Sequence, residues 1–146
     1  MGKIIDQCVA RPLVQEIIII NNATDPLAWD SPKVHVLQQG ENIFVNPAWN
    51  LGVEGAKRDY IAIVNGYVLF SDEVFDYDAQ LLRLPFAGMV GPDGAFMNRP
   101  GVALSHRMAG EGHIPLGMGV FMALRREYYL PIPDTMTIWG GDDWPY

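Results

Sequence analysis

The chain has 146 residues, which is enough for one domain with a hydrophobic core and too few for two. Hydrophobic residues make up 49% and charged residues 18%, a composition that excludes a disordered chain. The net charge of −7 disfavours binding to nucleic acid or to an anionic membrane surface, because both are themselves negatively charged. We therefore expect a single domain over residues 1–146 that does not bind nucleic acid.

Cysteine usage and hydropathy indicate the compartment. Cys8 is the single cysteine, so no disulfide can form within the chain, as is usual in a reducing compartment. The longest aliphatic run, Ile17 to Ile20, is too short to span a bilayer, and the first residues show no signal-peptide pattern. We expect a cytoplasmic protein without a membrane span, in which Cys8 is a core residue.

Helical and strand patterns alternate in the first half of the chain. Apolar residues at helical spacing predict a helix over residues 2–10. The run from Glu16 to Asn22 is typical of a strand buried on both faces, as in a parallel sheet. A second strand follows at 33–37. Asn46 and Pro47 predict the cap and first turn of a helix that reaches about residue 57. A continuous apolar run then predicts a third strand at 60–64, and residues 68–70 suggest a further short strand.

The second half has weaker patterns. Residues 74–84 suggest a helix and residues 87–90 a strand, whereas the segment at about 91–118 is rich in glycine and proline and predicts irregular structure. Residues 118–124 form a further strand candidate. The whole order predicts an α/β class domain: a mostly parallel twisted sheet with helices on both faces, of Rossmann-like type.

Three segments carry a resemblance to a known family. The first is Glu16-Ile-Ile-Ile-Ile-Asn-Asn-Ala-Thr-Asp25. The second joins Asn46-Pro-Ala-Trp-Asn-Leu-Gly52 to Asp59-Tyr-Ile-Ala-Ile-Val-Asn65. The third joins Gly119-Val-Phe-Met-Ala-Leu-Arg-Arg-Glu127 to Gly140-Gly-Asp-Asp143. In order and spacing they resemble the GT-A domains of family 2 glycosyltransferases, which transfer a sugar from a nucleotide-sugar donor to an acceptor hydroxyl.

The resemblance implies a site. Asp142 and Asp143 stand where the family places the base that deprotonates the acceptor, and they are the predicted catalytic residues. The predicted nucleotide-sugar contacts are polar residues that follow strands or lie on the second helix: Asn21, Asn22, Thr24, Asp25, Asn46, Asn50 and Asn65. Ligands of a parallel sheet bind beyond the carboxyl ends of its strands. We therefore expect Asn22, Asn65 and Asp142 to share one cleft.

The chain departs from the family at the metal site and at its beginning. Gly66 and Tyr67 stand where the family has acidic metal ligands, so we predict no metal-binding residues, although an active enzyme would use Mn²⁺ or Mg²⁺. Asp72 and Glu73 follow, and a helix cap with an acidic first turn is the simplest interpretation of them. The chain also begins at the family's first helix, without the strand that normally precedes it.

Basic and aromatic residues offer weaker candidates. Arg99, His106, Arg107 and His113 lie in the irregular segment and could bind a diphosphate, but loop residues that balance an acidic surface are commoner. The tryptophans could stack on a sugar, but such large aromatic side chains more often belong to a core or an interface.

These features leave three hypotheses. The chain is an inverting glycosyltransferase, or a catalytically inactive binding or assembly module derived from that fold, or a truncated copy whose function another chain carries. The glycine-rich acidic turn favours the first hypothesis, and the change at Gly66 and Tyr67 favours the second. A sheet edge left without its strand could be filled by another chain, so we also expect a homo-oligomer.

Overall fold

The computed structural model describes residues 1–93, 101, 103–109 and 119–138. Within these ranges the secondary structure comprises α1 (Gly2–Ala10), β1 (Ile17–Asn21), β2 (Val34–Gln38), α2 (Val45–Gly55), β3 (Tyr60–Val64), α3 (Glu73–Leu81), β4 (Met89–Val90), β5 (Phe121–Arg125) and a 3-10 turn (Arg126–Tyr128). The helices and strands of the first half confirm the patterns predicted there to within a few residues.

The strands form two small sheets. β1 and β2 pair in parallel, from Ile17 opposite Val34 at one end to Asn21 opposite Gln38 at the other. The second sheet has the order β3-β5-β4, and β5 runs antiparallel to both of its neighbours.

The prediction of one mostly parallel, Rossmann-like sheet of GT-A type is therefore wrong. The continuous apolar run of β3 was the misleading signal, because a strand covered on both faces has this pattern in either orientation. β5, at the centre of the second sheet, is covered on both faces, whereas Tyr60 and Ala62 of β3 are exposed. Phe121 and Ala123 of β5 pack with Leu82 on one face, and Met122 and Leu124 pack near Trp49 on the other.

Helix α2 links the two sheets and determines their relative direction. Its Gly55 lies beside the Ile18 side chain and its Gly52 beside Ile20, so α2 runs antiparallel to β1. After α2, the backbone N–H of Lys57 donates to the Glu16 carboxylate at 3.0 Å. The chain therefore enters β3 close to where it enters β1. Helix α1 fixes the direction of β3, because Arg11 at its end bonds to Lys33 just before β2, whereas Met1 at its start lies beside Gly66 just after β3, so β1 and β3 run in the same direction.

Helix α1 makes a second link. Gln7 donates to the Phe70 carbonyl at 2.9 Å and to the Asp72 carboxylate at 2.7 Å, and Arg11 forms an ion pair with the same carboxylate. Asp72 does stand at the N-cap of α3, as predicted, and Glu73 lies in the first turn. The Asp72 carboxylate, however, makes no capping bond to α3 and instead binds Gln7 and Arg11.

Two local predictions are corrected. Helix α2 begins at Val45 with Phe44 at the N-cap and no side-chain capping bond, so Asn46 does not cap it. The buried Asn46 side chain donates instead to the Met136 carbonyl at 2.9 Å. The suggested strand at 68–70 does not form, because the backbone turns after Val64, with the Val68 N–H bonded to the Asn65 carbonyl.

Candidate functional site

A cavity of about 740 Å³ separates the two sheets. Residues Ile17–Ile20 form one wall and Tyr60–Val64 form the opposite wall. Helix α2 lines it on one side through Trp49 and Val53, whereas α1 and α3 line it elsewhere. A volume of this size is within the range of small-molecule sites.

Asn22 lies at the carboxyl end of β1 and lines this cavity. Its amide group donates to the Phe44 carbonyl at 3.2 Å. Its side-chain oxygen is buried and has no hydrogen-bond partner among the described residues. An acceptor without a partner at this depth is costly, so the position favours a ligand that donates a hydrogen bond.

Phe44 adds a second unusual feature beside Asn22. Its φ of 66° with ψ of −174° is a backbone conformation that essentially only glycine adopts freely. The conformation places the carbonyl that receives the Asn22 amide, although the Phe44 side chain itself is 43% exposed. Strain of this kind often accompanies functional sites.

Asn65 lies at the carboxyl end of β3 and lines the same cavity. Its amide donates to the Gly119 carbonyl at 2.6 Å and to the Tyr67 hydroxyl at 3.1 Å. The structure therefore brings Asn22 and Asn65 to one cavity, because β1 and β3 run in the same direction. Two of the three residues predicted to share a cleft thus line one cavity, and the third, Asp142, lies outside the described residues.

The other predicted contacts on the first turn lie elsewhere. Asn21 donates to the Asp25 carbonyl at 2.8 Å and to Gln38 at 2.6 Å, and it accepts from the Ala23 N–H at 3.3 Å. Thr24 and Asp25 are exposed. None of these three predicted residues lines the cavity. Asn21 shapes the turn that places Asn22.

Asn46 and Asn50 hold the last described segment against α2. Asn50 donates to the Ile132 carbonyl at 2.8 Å, and its oxygen accepts from the Ile132 N–H at 2.9 Å and from the Tyr129 hydroxyl at 2.8 Å. The backbone of Asn46 also donates to Thr137 at 3.1 Å. Burial raises the pKa of Tyr129 to about 12, so its hydroxyl stays a donor. Both asparagines thus have a structural task, and neither lines the cavity.

The predicted catalytic pair, Asp142 and Asp143, lies outside the described residues. So do Arg99, His113 and two of the tryptophans. The described candidates are engaged: His106 bonds to Tyr77 at 2.9 Å, and Arg107 pairs with Asp93 at 2.5 Å.

The position of the family's metal ligands does not suit a divalent cation. Gly66 and Tyr67 carry no carboxylate there, and a Cβ at Gly66 would come within 3.3 Å of the Met1 side chain. Among the described ranges, no group of three or more His, Cys, Asp or Glu side chains is placed to hold a metal. We therefore assign no step of any reaction to a metal at this position.

Asp78 is the residue that sequence reasoning missed. It lies on α3, is only 8% exposed and lines the cavity, and its Oδ2 has no hydrogen-bond partner in the described part of the chain. Burial raises the pKa of its carboxyl group from 3.8 to about 6. Its position among Val74, Phe75 and Leu82, on the apolar face of α3, was the available signal.

Two further findings complete the description. No helix among the described residues is long and apolar enough to cross a membrane. No protein-family model, curated protein or solved structure matches the chain.

Proposed function

We propose that the protein binds a nucleotide-sugar and acts as a glycosyltransferase on an acceptor hydroxyl. One observation carries the proposal: Asn22 and Asn65 line one cavity from the carboxyl ends of two strands that run in the same direction. Nucleotides often bind beyond the carboxyl ends of parallel strands, and Asn22 and Asn65 occupy equivalent positions here although their strands belong to two separate sheets. The residues that resemble family 2 glycosyltransferases include both asparagines.

The Asn22 oxygen, which has no hydrogen-bond partner among the described residues, suits a nucleotide. A ribose hydroxyl or a base N–H would donate to it and remove the cost of the buried acceptor. The segment that ends at residue 138 lies near the Asn22 end of the cavity. Its Thr137 carbonyl accepts a hydrogen bond from the Asn46 backbone N–H at the start of α2, two residues after Phe44. Transfer itself requires a base for the acceptor, and we propose Asp142 or Asp143 for this role.

The test is a titration with UDP-sugars and GDP-sugars, with and without Mn²⁺, followed by thermal unfolding. A donor at about 100 times its Kd should stabilise the protein by about 2.7 kcal/mol. Replacing Asn22 with alanine should abolish this gain. The matched control is Gln39→Ala, which removes another local side-chain bond, to the Leu37 carbonyl at 3.2 Å, at a residue that does not line the cavity.

Two results would contradict the proposal. One is the absence of any thermal shift with every donor at millimolar concentration. The other is a shift that survives Asn22→Ala, which would place the ligand elsewhere. If donors bind, Asp142→Asn and Asp143→Asn should leave binding intact and lower the rate of sugar transfer, and equal rates would exclude both residues as the base.

A further inference from the structure

The four isoleucines of β1 are less buried than their sequence predicts. Residues Ile17–Ile20 have the pattern of a strand covered on both sides, but none of the four is fully buried. β2 covers one edge of β1, and the cavity lies along the other. β1 therefore has the sequence of an inner strand and the surroundings of an edge strand.

The backbone of β1 offers hydrogen-bonding groups to the cavity. Ile17 and Asn21 bond to the β2 side through their backbones, at 2.8 and 3.1 Å. Backbone groups of successive residues in a strand point to opposite edges. The N–H and C=O groups of Ile18 and Ile20 therefore point away from β2, towards the cavity.

The backbone of β3 does the same from the opposite wall. Asp59 and Asn65 bond to the β5 side, at 2.7 and 3.0 Å. By the same alternation, Tyr60, Ala62 and Val64 direct their N–H and C=O groups away from β5. Neither edge pairs with another strand in the described part of the chain. Two strand edges that run in the same direction thus face each other across one cavity.

The cavity also contains a charge. Asp78 projects from α3 into a space lined mainly by apolar side chains, and its Oδ2 has no partner in the described ranges. Arg58, Asp59 and Arg83 also line the space but are exposed. The Glu16 carboxylate accepts the Lys57 N–H, so Asp78 is the buried carboxylate left to be matched. A buried carboxylate oxygen is stabilised when a cationic group donates a hydrogen bond to it. Any occupant that completes this cavity should therefore be apolar with one basic side chain.

We propose that the cavity accepts an extended segment of a partner protein, which enters as a β-strand between β1 and β3 and parallel to both. Its side chains are apolar on both faces, except for one lysine or arginine that reaches Asp78. The strand would span about five residues, or about 17 Å, to match the length of its neighbours. Backbone hydrogen bonds to both walls would join the two sheets, as in other cases of strand addition. This proposal does not depend on nucleotide binding.

The probes are capped peptides of about seven residues, built from valine and threonine with a central lysine, norleucine or proline. Cys8 lines the cavity and is the only thiol, so its alkylation by iodoacetamide reports occupancy. With the lysine peptide at about ten times its Kd, about a tenth of the molecules stay free, and alkylation should slow about tenfold. The norleucine peptide should bind about tenfold more weakly, and the proline peptide not at all.

Two variants test the geometry. Ala62→Pro removes an N–H that faces the cavity while keeping every bond to β5, so it should fold and fail to protect Cys8. Ala62→Thr retains the N–H and should behave as the wild type. Asp78→Asn should fold and lose the preference for lysine over norleucine.

Three results would overturn the proposal. The first is unchanged Cys8 alkylation with every peptide. The second is equal binding by wild type and Ala62→Pro. The third is a Cys8 alkylation rate that falls as the protein concentration rises, together with a dimer in sedimentation. A second copy of the chain would then be the occupant. The peptide is expected along the edges of β1 and β3 and at Asp78, and the nucleotide at Asn22 and Asn65 beyond the strand ends. Ala62→Pro should therefore abolish peptide binding and keep the nucleotide-induced thermal shift, so the two proposals fail separately.

Discussion

The Asp78 carboxylate should make the protein less stable as the pH rises. Below pH 3.8 the group is protonated in both the folded and the unfolded chain, so it causes no difference between them. Above about pH 6 it is ionised in both states, and the folded state then bears the cost of burying a charge. The free energy of unfolding should therefore fall as the pH rises through this window.

The size of the effect follows from the two pKa values. Each pKa unit corresponds to about 1.4 kcal/mol, so a rise from 3.8 to about 6 amounts to about 3 kcal/mol. Water that enters the cavity would lower this value, which makes it an upper bound. Asp78→Asn keeps the shape of the side chain and removes the charge. The variant should gain up to about 3 kcal/mol over the wild type at pH 7.5 and little at pH 4.

Urea unfolding at several pH values, followed by tryptophan fluorescence, measures this difference. The matched control is Asp76→Asn on the same helix, where the carboxylate is exposed and the replacement should change stability by less than about 1 kcal/mol. An Asp78→Asn gain that is the same at pH 4 and pH 7.5 would refute the argument from charge burial. A loss of stability at pH 7.5 would show that the ionised carboxylate has a favourable partner.

Three further predictions concern the packing around the site. Asn50→Ala should lower the free energy of unfolding in urea by about 2–4 kcal/mol, because it removes three hydrogen bonds to Tyr129 and Ile132. Tyr129→Phe removes one of these bonds and should lower it by about 1 kcal/mol. Equal losses would contradict the structural role given to Asn50. Leu124→Ala should cost about 2–5 kcal/mol, since Leu124 is fully buried in β5, and a cost below about 1 kcal/mol would show that the core collapses around it. Phe44→Gly should raise the unfolding midpoint by relieving about 1 kcal/mol of backbone strain at an exposed side chain, and a lower midpoint would contradict the argument from strain.

The local elements could be predicted from sequence better than their assembly. Helix α1 and strand β1 follow from apolar spacing and from a continuous run of isoleucines, which are short-range signals. The direction of β5 relative to β3 is not encoded in either strand alone. It depends on the path of residues 65–120, and in the part at about 91–118 glycine and proline leave no period to interpret.

Only part of the candidate site could be predicted, because the sequence shows short-range patterns and does not show contacts made by folding. Asn22 and Asn65 follow strands, and a polar residue after an apolar run is visible in sequence. The separate roles of Asn21 and Asn50 were not visible, because their partners are backbone atoms and side chains brought close by folding. Asp78 was missed because an acidic residue at one position of an amphipathic helix usually faces solvent.

The order in which the two sheets fold should follow from how far apart their strands lie in the chain. β1 and β2 are separated only by residues 22–33, whereas β3 and β5 pair across residues 65–120. Closing the longer loop costs about 1.4 kcal/mol more in chain entropy. The antiparallel sheet therefore gains its stability late, from the apolar contacts of β5, and the parallel pair with α2 is the part expected to form first.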